Sequence, residues 1–167
     1  MDLEKIYNEA QECTYNDSPT YNIKRAIELF SQIIDIDPNF RFALEERSRC
    51  YFRLGMNEER MKDILAYTKN NPDIRSKIEI ADCLKNLGRY EEGVQLLLNL
   101  DLNPQQLSTH GLRLRESLYR LTGKLEHAER DKKIADEYDE AQLKLWDDPN
   151  YYGHYKLNNV EKNSPKK

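Results

Sequence analysis

The side chains able to do chemistry are scattered along this chain, not gathered. His110, His127 and His154 have no cysteine or carboxylate at metal-ligand spacing. Cys13, Cys50 and Cys83 are odd in number and far apart, and read as buried free thiols. The acidic pairs Glu58-Glu59, Glu91-Glu92 and Asp147-Asp148 fall at helix starts or in a loop, where negative charge favours the helix dipole or stays solvated. The chain has no Gly-rich phosphate loop, nucleophile elbow or paired-Asp motif. No catalysis, metal or cofactor is therefore expected. What remains is cationic: Arg suits bidentate capture of a carboxylate. Arg49, Arg53, Lys85, Arg113 and Arg120 become a binding strip if the fold turns them to one side.

The elements that would do so are set by two kinds of helix breaker. Gly55, Gly88 and Gly123 lie 33 and 35 residues apart, and Pro38, Pro72 and Pro104 alternate with them at intervals of 34 and 32. A period near 34 residues marks units of helix, tight turn and helix, each of which must stack on its neighbours to bury its apolar stripe. The spacing predicts about four units, roughly 2–38, 39–72, 73–104 and 105–146, forming one repeat domain over 1–146, with a tail over 147–167. In the first unit, the apolar residues Leu3, Ile6, Tyr7, Ala10 and Cys13 recur at helical spacing, followed by a longer loop from Thr14 to Tyr21, free or folded against a groove mouth. The second unit packs through Ala43, Leu44, Arg47, Cys50, Tyr51 and Leu54, with Asn57 as cap of its second helix. The third uses Ile74, Ile78, Ala81, Leu84 and Leu87. In the fourth, a stripe from Leu125 to Leu145 makes one long, highly charged helix running to Trp146, suited to ending a stack.

Charged residues make up 34% of the chain and apolar ones 38%, with a mean hydropathy of −0.92, as an elongated stack with much surface allows. Twenty-six basic against 30 acidic side chains leave a net charge of −4, so neither nucleic acid nor an anionic membrane surface is an expected partner. No apolar run approaches the roughly 18 residues of a membrane span, and the start Met1-Asp2-Leu3-Glu4-Lys5 lacks a signal-peptide layout. The expected location is cytoplasmic.

The segment from Asp37-Pro38-Asn39 to Asn71-Pro72 resembles the tetratricopeptide repeat family, with Leu44, Tyr51, Gly55, Ile64 and Tyr67 at its large apolar and turn positions. Ala81, Leu84, Gly88, Tyr90, Gly93 and Leu97 extend the likeness, and Ala26, Gly93 and Ala128 share the small contact position of the second helices. Arg60 departs from it, standing where the family has a small residue: either its stem snorkels out or the helix pair rotates there. Lys132 stands where an aromatic belongs. The resemblance implies an all-α, right-handed superhelix with a long C-terminal capping helix. Its first helices line a concave groove for a protein or peptide, without enzymatic activity.

The groove-facing positions that follow are Phe42, Arg49, Phe52, Arg53, Arg75, Ile78, Lys85, Arg113 and Arg120, unless that face is merely solvated. The family's chaperone-tail clamp is disfavoured, because Glu46 and Glu79 stand at clamp positions and would repel a carboxylate. An adaptor or co-chaperone-like binding module is the first reading. A structural subunit docked through its convex surface and tail, with Trp146, Tyr151, Tyr152 and Tyr155 as anchors, is the alternative. The tail is weakly similar to the junction where some tetratricopeptide co-chaperones enter a J-domain, but it lacks that domain's His-Pro-Asp motif.

Overall fold

The computed structural model describes residues 2–98 and 107–147, with the side chains of 146 and 147 excepted. The described residues form eight α-helices and no strand: α1 (Leu3–Glu12), α2 (Ile23–Ile36), α3 (Arg41–Leu54), α4 (Asn57–Tyr67), α5 (Ile74–Asn86), α6 (Tyr90–Leu98), α7 (Thr109–Leu121) and α8 (Leu125–Asp147). The chain divides into two compact units, Met1–Leu102 and Asn103–Lys167. In the first unit each helix packs on its neighbours in sequence, α1 on α2 and so on through α6; in the second, α7 packs on α8. Nearest-neighbour packing is what repeat architectures require.

The turns are built as the periodicity predicts. Gly55, Gly88 and Gly123 have φ of 70°, 75° and 74°, a left-handed conformation that a side chain disfavours. After each glycine the chain hydrogen-bonds back across the helix end: Met56 N–H to the Tyr51 carbonyl, Arg89 N–H to Leu84 and Lys124 N–H to Tyr119. Asp2, Asn22, Asp73 and Ser108 cap α1, α2, α5 and α7 through their side chains. The cap expected from Asn57 does not form: α4 starts at Asn57 itself, behind Met56, and the Asn57 amide donates to the Gly55 carbonyl.

The apolar stripes meet between the helices. Ala10, Cys13, Ala26, Phe30, Ile33, Ala43 and Cys50 close one cluster, and Ile64, Ile80, Cys83 and Leu84 another. All three thiols are buried, and burial pushes those of Cys50 and Cys83 up to about 11. Leu54, Ile74, Leu125 and Leu145, expected in the stripes, are among those instead exposed, because each lies in the first or last turn of its helix or on the outer end of α8.

Two helix pairs carry an ionic fastener where the third repeat has apolar residues. Arg47 on α3 grips Asp63 on α4 with both ends of its fork, at 2.9 and 2.7 Å, and donates to Ser31 Oγ on α2 at 2.8 Å. Arg115 on α7 grips Asp131 on α8 at 2.6 and 2.9 Å. Each arginine lies eight residues before its turn glycine and each aspartate eight after; around Gly88 those places hold Ile80 and Leu96. Ile80 and Leu96 belong to the apolar cluster.

Candidate protein-binding face

On α3 the positions left over from packing carry two phenylalanines. Phe42 is 64% exposed and Phe52 56%, large fractions for aromatic rings on a helix packed on both sides. Phe42 leans edge-on against Phe40 at 6.4 Å, and Phe40 continues through Tyr7 to the buried Phe30, so this surface ring rests on a chain of rings rooted in the core. Phe52 carries the Arg60 guanidinium over its face at 4.5 Å.

Of the two courses expected of Arg60, the snorkelling one is not taken. It is buried, with its head turned to Phe52 and across to α5, 3.2 Å from Asp82 and 4.0 Å from Glu79. A long cation thus occupies the place that Gly93 and Ala128 leave small, and joins the second repeat to the third. Beside it, between α3 and α5, opens a cleft of about 260 Å³ lined by Arg41, Ser48, Tyr67, Ser76 and neighbouring charged residues. On the other flank of α3, against the start of the α1–α2 loop, lies a second cleft of about 360 Å³ lined by Thr14, Glu46, Arg49, Cys50, Phe52 and Arg53.

The cations expected to form a strip are individually engaged. Arg49 is paired with Glu45 at 2.9 Å and with Glu46. Arg75, the most exposed, reaches Glu79 at 3.2 Å, and Lys85 lies 3.8 Å from Asp82. Arg53 turns to the loop: it donates to the Thr14 carbonyl at 2.6 Å and to Asn16 Oδ1 at 3.1 Å, with Tyr21 alongside. The loop is therefore folded against α3, and Arg53 holds it there. In the second unit Arg113 reaches Asp136 and Asp139 at 2.6 and 2.9 Å, and Arg120 reaches Glu116 and Glu129 at 3.1 and 2.7 Å. These partners raise the pKa of both arginines further, the Asp139 and Glu129 hydrogen bonds leading.

Ile78, expected both in the packing stripe of the third unit and on the groove, keeps only the first of these places: it is 7% exposed. Trp146 belongs to α8, but its side chain lies outside the described residues, as do Tyr151, Tyr152 and Tyr155. Arg41, Thr14 and Arg60 are the site residues that helical periodicity did not single out. Arg60 alone carried a signal, as a departure from a small-residue position.

Asp73, at the edge of the face, and Asp63, beneath it, are shifted in opposite directions. Asp73 is held below the usual carboxylate range by the Ser76 N–H and hydroxyl at the start of α5, with Arg75 and Arg41 adding to it. Asp63 is raised by burial, against the opposing pull of its Arg47 fork. Tyr7, behind the face, is raised by burial and then by Glu46. Among the described residues no three His, Cys, Asp or Glu side chains gather as a metal site would need, and no helix is long and apolar enough to cross a membrane.

Among the described residues, helix–turn–helix pairs that stack in sequence through the first unit, and a further such pair in the second, have the architecture of a tetratricopeptide-like helical repeat. Solved structures of MamA share it. MamA MSR-1 is 21% identical with a TM-score of 0.69, covering 85% of this chain and 79% of that one. MamA AMB-1 is 19% identical with a TM-score of 0.69, covering 87% and 79%. MamA from Desulfovibrio magneticus RS-1, residues 41 to the end, is 15% identical with a TM-score of 0.70, covering 84% and 77%. At such identity the likeness is one of fold. No family model and no curated protein matches the chain.

Proposed function

We propose that this chain is a non-enzymatic protein-binding module that holds a segment of a partner against the α3 face of its first unit. The observation that carries this is the pair of exposed phenylalanines, Phe42 and Phe52, on a helix whose remaining surface is cut by two clefts. Exposed aromatic rings with preformed pockets beside them are how interfaces concentrate binding energy. Because Arg49, Arg53 and Arg75, with Glu45, Glu46 and Glu79, are already engaged, specificity rests on shape and apolar anchoring more than on a field of one sign. Glu46 and Glu79, both committed to arginines, leave a chaperone-type carboxylate clamp without its donors.

The test is a displayed random-peptide library selected on the full chain, with selected peptides remeasured by fluorescence polarisation. The double variant F42A/F52A is expected to lose at least tenfold in affinity with unchanged helical circular dichroism, while L143A on α8 stays within twofold of the parent. Selected peptides that bind F42A/F52A like the parent overturn the reading. If that binding also disappears on deleting residues 148–167, the subunit-docking alternative takes its place. Charge reversal at Arg53 is unsuitable as a probe, since it would release the Thr14–Asn16 loop as well.

A further inference from the structure

The outer side of α3 is complementary to its own reverse. Phe42, Glu45, Arg49 and Phe52 follow one another at intervals of three, four and three residues. At ~100° per residue these four positions fall within an arc of about 80°, so they form a single stripe along the helix. Their exposure agrees: both rings and Arg49 are exposed and Glu45 half-buried, while Ala43, Leu44, Ser48 and Cys50 around them are buried. The stripe therefore reads ring, acid, base, ring. Along the axis the rings are about 15 Å apart and the two charges about 6 Å apart, at ~1.5 Å per residue. Both pairs are centred on position 47.

That common centre is what an interface between identical copies needs, because a two-fold axis requires every contact to occur twice, each residue meeting the one that meets it. With two α3 helices laid antiparallel about position 47, Phe42 meets Phe52 of the second copy and Glu45 meets its Arg49, and the reciprocal contacts follow. Spacing of three and four residues is also the seam along which helices pair at a crossing angle of about 20°. A parallel arrangement would set Glu45 on Glu45 and Arg49 on Arg49. An antiparallel one displaced by seven residues would set rings on charges. Charge thus selects one orientation and one register.

The side chains are also prepared for it. Glu45 and Arg49 are paired within their own helix at 2.9 Å, with Glu46 on the same arginine, so docking closes a ring of alternating charges and buries no lone ion. Arg60 takes one face of the Phe52 ring, which stays more than half exposed, and Phe42 is propped against Phe40; neither ring has to be ordered on association.

We infer that the α3 face binds a second copy of this chain through an antiparallel α3–α3 contact on a two-fold axis. The inference rests on the reading of this face as a protein-binding site and names its partner. One helix face with its rims lies at the small end of specific interfaces, at or below about 1,200 Å² in total, so the association is of micromolar strength.

Sedimentation equilibrium on the full chain from about 1 to 500 µM tests it, a range that brackets such an affinity. A monomer–dimer equilibrium is expected, weakened at least tenfold in F42A/F52A with unchanged helical circular dichroism. E45R, which keeps both rings, should weaken it about fivefold by setting arginine against arginine, and E45R/R49E should return it to within about threefold of the parent. Orientation is read by oxidation: an equimolar mixture of F42C and F52C should form a disulfide-linked dimer, whereas either variant alone should not, the native thiols being buried. A dimer indifferent to F42A/F52A, no recovery in E45R/R49E, or F42C cross-linking to itself as well as to F52C overturns the inference. A chain monomeric at the highest concentration, whose library peptides still need Phe42 and Phe52, overturns the dimer alone and leaves the binding module standing. Library peptides indifferent to both phenylalanines overturn the module as well.

Discussion

The same structural place is filled in two ways in this molecule. Across the second repeat Arg47 and Asp63 tie first helix to second, and across the fourth Arg115 and Asp131 do so; in the third the same places hold Ile80 and Leu96, both in one apolar cluster. The two ionic versions also differ in depth. The Arg47 and Asp63 side chains are 17% and 5% exposed, and Arg47 has Ser31 as a further acceptor, while Arg115 and Asp131 are 4% and 0% exposed. The repeat scaffold thus tolerates a buried charge pair or an apolar pair at one register. What a pair contributes depends on how far removing one partner strands the other from water.

The comparison breaks first at Asp131. With that carboxylate removed, Arg115 keeps only its approach to the Tyr119 ring at 6.0 Å, inside a wall that excludes water. A stranded buried charge costs about 3–5 kcal/mol, so D131A is expected to melt α7 and α8 well before the first unit. D63A should cost less, about 1–3 kcal/mol, since Arg47 retains the Ser31 hydroxyl and a path to solvent. Urea unfolding, with hydrogen exchange resolving α3–α4 from α7–α8, checks both. Equal losses in the two variants would show that depth does not set the cost.

A milder intervention converts one solution into the other. The double variant R47I/D63L writes the third repeat's apolar residues into the second, removing both charges together and leaving neither stranded. Replacing a whole buried pair by apolar residues of similar volume is often neutral or stabilising, so this variant is expected within about 1 kcal/mol of the parent, above D63A. Ser31 limits the gain, because its hydroxyl then keeps only the Ile27 carbonyl. A thermal midpoint below that of D63A would show that the ionic pair is specifically required at this register.

These pairs mark where the sequence could be read and where it could not. Gly55, Gly88 and Gly123 announced the turns because a left-handed helix end favours one residue type, and the apolar stripes announced the helices because burial imposes a 3.6-residue period. The Arg–Asp ties were legible too, by aligning units on their glycines and asking which polar residues recur eight places to either side. Periodicity alone hides them, since it treats polar residues on a packing face as interruptions. Arg53 lies outside any such rule. Its partners Thr14 and Asn16 are 39 and 37 residues away in an irregular loop. Arg60 could be marked as misplaced, but its inward course depends on Phe52, Glu79 and Asp82 converging from two helices. Ile78 reads both into the packing stripe and onto the groove, and only its burial in the structure decides for the stripe.

The smallest expected effect separates the acid beneath the face from the one at its edge. Asp63 has a folded pKa above the ordinary 3.8, because burial outweighs the Arg47 fork. In the window just above 3.8 the folded chain therefore holds more proton than the unfolded one, and this site gains stability as pH falls through the window. Asp73 runs the other way. Its pKa lies below 3.8, so its contribution is fully present above 3.8 and is lost as pH falls through the lower folded value. D73N keeps an N-cap side chain able to accept from Ser76 N–H while abolishing the titration. Its stability profile should consequently fall less steeply below pH 4 than the parent's, whereas D63N, lacking the opposing site, should fall more steeply. Urea midpoints measured from about pH 3 to 6 in steps of half a unit resolve the two slopes. If both variants flatten the acid limb, the Arg47 fork outweighs burial at Asp63 and the ionic tie stabilises the fold in its charged form.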